Sequence, residues 1–93
     1  MSDENLRAKA EIATIRERID AIDCQLVALL NERAQCSLDI RHLKPQAQWG
    51  LYDPKREEEI FSHLAAANGG PMYAEDVRAI YSTILQVMKG LRG

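Results

Sequence analysis

The amino-acid sequence predicts an all-α fold of three helices, the first of them long, with no strand. Apolar residues recur every three or four positions from Ile15 through Ile19, Ile22, Leu26 and Leu29 to Ile40 and Leu43, the period of one helix face. Asp53-Pro54, followed closely by Glu57, Glu58 and Glu59, reads as a helix start. Val77, Ile80, Ile84, Val87 and Leu91 form a further apolar stripe at helical spacing.

The first helix is expected from about residue 5 to Lys44, with Pro45 as its stop. At about 1.5 Å per residue, about forty residues make a rod of roughly 60 Å. A compact chain of this size has a radius of gyration near ~13 Å. The rest of the chain is too short to cover such a seam, and packing along a second copy is the simplest way to bury it. An intertwined helical homodimer is therefore expected. The chain reads as one domain over residues 1–93, with polar residues 1–10 expected to fray.

Residues 45–52 read as a loop, in which Trp49, Leu51 and Tyr52 either close as a lid or, the favoured reading, pack to anchor the start of the next helix. In the second helix Asp53 is the N-cap, Pro54 suits the first helical position, and the glutamates favour the dipole. Asn68-Gly69-Gly70-Pro71 ends it. The third helix is expected from about Tyr73 to Leu91, with no strong cap at its start.

Composition narrows the function classes. Of 93 residues, 46% are hydrophobic and only 5% aromatic, so any core is aliphatic. The net charge of −2 carries no basic excess that would point to nucleic acid or an anionic membrane. The polar N-terminus lacks the apolar core of a signal peptide, no stretch matches a membrane span, and a cytoplasmic protein is expected. Cys24 and Cys36 would lie about 18 Å apart on one helix, too far to bridge within a chain. His42 and His63 lack partners at metal-ligand spacing, and there is no Cys-x-x-Cys pair, phosphate loop or nucleophile elbow. Neither metal nor cofactor is expected.

The 3-4 spacing, continued through the gap after Leu29, lands on Arg33 and Cys36. A cation on an apolar seam either fixes register and reaches to the rim, or faces an anion pocket. Lys44, eleven residues later, shares the stripe of Arg33, and it also suits the negative end of the helix dipole. Arg16 points about 100° away from Arg33; in an antiparallel dimer Arg16 of one chain could approach the Arg33 region of the other. Asp53 has its capping role. Glu57, one turn before Ile60, Phe61 and Leu64, faces either inward or solvent, and Arg56 beside three glutamates suits the surface.

The run IRERIDAIDCQLVALLNER, then Lys44 eleven residues after Arg33, then YDPKREEEI, resembles the all-helical class of chorismate mutases over about residues 12 to 91. The resemblance implies a three-helix protomer in an intertwined homodimer whose sites are shared between chains. It implies the Claisen rearrangement of chorismate to prephenate, in phenylalanine and tyrosine biosynthesis, without metal or cofactor. Arg16 from the other chain and Arg33 would hold the substrate carboxylates, and Lys44 a carboxylate and the ether oxygen. Arg56 would support the ring side, and Asp53 and Glu57 would hold the ring hydroxyl. The family usually has a small or hydroxyl residue late in the third helix and Gln or Glu four residues on. Counted from Glu57 without a gap, those positions hold Met88 and Arg92. Two other functions stand beside this one: an isochorismate pyruvate lyase, which some relatives with this fold are, and a catalytically weak helical dimer that regulates a partner enzyme.

Overall fold

The computed structural model describes residues 2–47 and 53–92. It contains helices α1 (Asp3–Ala47), α2 (Pro54–Ala67) and α3 (Ala74–Lys89), and no strand among the described residues. The fold is all-α, as expected. None of these helices is long and apolar enough to cross a membrane.

Helix α1 begins at Asp3, ahead of the expected start near residue 5. The Asn5 N–H donates to Ser2 Oγ at 3.3 Å, and Asp3 and Glu4 occupy the first turn, where the dipole favours acidic groups. At the other end Pro45 does not stop the helix, which continues to Ala47. So close to the terminus the missing proline N–H removes one ladder bond while the turn beyond it is short. Of the loop expected over 45–52, residues 45–47 are thus helical, and Trp49, Leu51 and Tyr52 lie outside the described residues.

The chain divides into two compact units, up to Arg33 and from Ala34 onward. In the first, every described residue from Ser2 to Glu32 is exposed and Arg33 is half-buried. Ile15, Ile19, Ile22 and Leu26 are each about half exposed, at 53%, 48%, 47% and 50%. The predicted seam is therefore an uncovered apolar face in the single chain.

The second unit has a small core where α2 packs on α3. Ile60, Phe61 and Leu64, at i, i+1 and i+4 spacing, are the half-buried apolar residues of α2. Val77, Tyr81, Ile84 and Leu91 are half-buried, while Leu85 and Met88 are buried. The inward face keeps Val77, Ile84 and Leu91 of the expected stripe but not Ile80 and Val87, which are 50% and 56% exposed. Tyr81, Leu85 and Met88 are also turned inward, so the covered face of α3 is wider than one stripe. Arg78 adds a polar link: its guanidinium lies 4.1 Å from the Phe61 ring centroid and 3.7 Å from Glu58.

Local chemistry sets the helix ends. Asp53 Oδ1 accepts the Arg56 N–H at 3.0 Å, so Asp53 caps α2 as predicted and Pro54 opens it. After α2, Asn68 Oδ1 accepts from the Gly70 N–H at 3.1 Å, and Asn68 Nδ2 donates to the Met72 carbonyl at 2.9 Å. Gly70 has φ 83°, a conformation that favours glycine, and Gly70–Pro71 is cis. The start of α3 is capped after all: the Asp76 carboxylate accepts the Tyr73 N–H at 3.0 Å. The signal was an acidic residue three positions after the cap.

Candidate functional site

The candidate residues of the second unit lie on the ends of its helices. Lys44 is in the last turn of α1 and half-buried. Arg41, one turn earlier, is also half-buried and reaches the C-terminal end of α3. Its Nη1 donates to the Leu91 carbonyl at 2.6 Å, and its Nη2 donates to the Met88 and Lys89 carbonyls at 3.1 and 3.2 Å. The Met88 and Lys89 carbonyls belong to the last turn of α3 and the Leu91 carbonyl lies just beyond it, and a cation suits the negative end of the dipole. Arg41 therefore fastens the end of α3 to α1.

Glu57, in the first turn of α2, meets α3 from the other side. Its side chain is 30% exposed, and Glu57 Oε2 accepts from Lys89 Nζ at 3.1 Å. The sequence left Glu57 between an inward and a solvated position, and it is half-buried. Lys89 was not among the expected site residues. Its signal was its place in the last turn of α3, directly after Met88.

Asp53 is exposed, and its Oδ1 is engaged in capping. Arg56 is exposed and lies 3.6 Å from Glu59 one turn on, the surface setting expected for it. Met88 is only 7% exposed and belongs to the α2–α3 core. Arg92 is exposed and follows the end of α3, which closes at Lys89 with Gly90 as the C-cap. The third helix thus ends two residues before the expected Leu91. Arg16 is exposed and Arg33 half-buried, both in the first unit.

The second unit therefore brings the Arg41–Lys44 turn, the first turn of α2 and the last turn of α3 together. Lysine and arginine donors suit a small anionic ligand, because guanidinium and ammonium groups form strong charge-assisted bonds with carboxylates.

Comparison with known proteins gives the same direction. The family model described as chorismate mutase type II matches residues 15–92. A bifunctional chorismate mutase/prephenate dehydratase of Pseudomonas aeruginosa is 31% identical over 80 residues, covering 81% of this chain and 22% of that protein. This chain thus spans about a fifth of the length of that bifunctional relative. A chorismate mutase of Methanocaldococcus jannaschii is 33% identical over 54 residues, 58% of this chain and 54% of that protein. Among solved structures, form II of a chorismate mutase from Thermus thermophilus superposes with TM-score 0.83 at 32% identity, covering 87% of this chain and 92% of that one.

Proposed function

This chain belongs to the chorismate mutase type II family, and from that premise we propose that it converts chorismate to prephenate by a Claisen rearrangement. The observation that carries the proposal is that Arg41, one turn before Lys44, bonds the end of α3 while Lys89 in the last turn of α3 bonds Glu57, all in one unit and inside the matched residues 15–92. In this reaction the ether C–O bond breaks as a new C–C bond forms within the same molecule. It needs no nucleophile and no net proton transfer. A protein accelerates it by holding the extended substrate in its reactive shape and by placing positive charge at the ether oxygen.

Lys44 is assigned to the ether oxygen and a neighbouring carboxylate. Glu57 and Asp53 accept from the ring hydroxyl, and Arg56 supports the ring side. Asp53 has a carboxylate oxygen besides the one that caps α2, so both roles are compatible. Arg33 and Arg16 are assigned to the substrate carboxylates, Arg16 from a second copy of the chain. Met88 supplies an apolar wall at most, and Arg92 a secondary positive charge near the ether oxygen. The uncovered seam at Ile15, Ile19, Ile22 and Leu26 supports a homodimer, since a contiguous apolar face of this kind suits an association surface.

The test is to incubate the purified protein with chorismate and, separately, with isochorismate, and to identify the products. Prephenate from chorismate is expected. Salicylate and pyruvate from isochorismate alone would replace the mutase reading with a lyase, and no turnover of either would leave a binding protein.

A further inference from the structure

The Lys89–Glu57 pair has no evident task in the fold. Lys89 is 60% exposed and Glu57 30%, and an ion pair so open to water adds little stability. Yet it is held from two sides. Arg41 bonds the Lys89 carbonyl at 3.2 Å, and Lys89 Nζ reaches Glu57 Oε2 at 3.1 Å. A continuous chain of contacts thus runs from α1 through α3 to the first turn of α2.

Glu57 faces a conflict that this pair resolves. A carboxylate is a good acceptor for a ring hydroxyl, but a bare carboxylate repels a substrate that carries two carboxylates of its own. A lysine on one oxygen offsets that charge and leaves the other oxygen to accept.

We infer that Lys89 is a positioning residue for substrate binding: it orients Glu57 and cancels its charge, so that a dianion bearing a hydroxyl group is accepted. The inference rests on the chorismate reading above. It differs from the helix-end role of Arg41, because it works through a side chain that the fold does not need.

The experiment compares Lys89→Met and Lys89→Arg, each in the natural chain and in a Glu57→Gln background, by steady-state kinetics with chorismate and by thermal melting. Lys89→Met is expected to raise KM about three- to tenfold, with kcat within about twofold and the melting curve unmoved. Lys89→Arg should return KM to within about twofold of the natural value. In the Glu57→Gln background Lys89→Met should change KM by less than about twofold, because the charge to be offset is gone. An unchanged KM in Lys89→Met, or an equal KM penalty in both backgrounds, overturns the inference and leaves the mutase reading standing. A natural chain that does not turn over chorismate overturns the reading and the inference together. Should Lys89→Met fail to fold, Lys89→Gln takes its place with the same expectations.

Discussion

Lys44 lies one helical turn beyond Arg41, and Arg41 is the residue that fastens α1 to the end of α3. A half-buried ammonium whose turn is anchored in this way is well placed to stabilise charge that develops only in the transition state. Lys44→Ala is expected to lower kcat by about 10²–10³-fold, as the loss of such a donor typically does. Circular dichroism should show the fold retained, because Lys44 stands near the end of its helix. Near-normal turnover would remove Lys44 from the chemistry. Arg92 has weaker support. It is exposed and lies beyond the last turn of α3, after Gly90. Arg92→Ala should lower kcat/KM by less than about tenfold, or roughly 1.4 kcal/mol. Arg92→Gln should keep or raise activity, since it restores the family's usual donor. A loss in Arg92→Ala as deep as that in Lys44→Ala would make this arginine a full catalytic group.

At the scale of elements, the first turn of α2 does two jobs. It is opened by the Asp53 cap and Pro54, and it carries Glu57 to the end of α3. Asp53→Ala removes the cap and the proposed hydroxyl acceptor together, and should cost about 0.5–2 kcal/mol of stability. Asp53→Asn separates the two roles, because asparagine caps as well as aspartate but lacks the charge. Urea denaturation should place Asp53→Asn near the natural chain, with kcat/KM below it. Equal activity in both would confine Asp53 to capping. The last turn of α3 is similarly shared: Met88 is buried, and Lys89 beside it reaches Glu57. A change at Met88 would therefore move the Lys89 backbone as well as the packing.

At the scale of the whole molecule, a chain with two buried side chains among its described residues has little core of its own. The uncovered α1 face is the surface that a second copy would cover. Sedimentation at micromolar concentration should report about twice the 10.5 kDa chain mass. If Arg16 serves the other chain's site, Arg16→Ala and Lys44→Ala should each be nearly inactive. Mixed and refolded, they should form heterodimers with one doubly defective site and one intact site, and recover a fraction of the natural activity. Verified heterodimers without recovery would exclude a shared site.

Much of this was legible in the sequence because it is local. Spacing by three and four marks a helix wherever it occurs, and Asp53-Pro54 and Asn68-Gly69-Gly70-Pro71 punctuate α2 through bonds made within a few residues. The family, too, was legible, because its characteristic residues keep their order and spacing along the chain. What tertiary structure decided was which surfaces and which distant groups meet. Periodicity showed that α3 was apolar, but only the folded chain buries Leu85 and Met88 and leaves Ile80 and Val87 about half exposed. Pro45 looked like a stop, yet its position in a final turn makes the lost hydrogen bond tolerable. Local patterns assign no partner to Arg41 or Lys89. Their partners lie 47 to 50 and 32 residues away, so only folding the second unit brings the α3 carbonyls to one and Glu57 to the other.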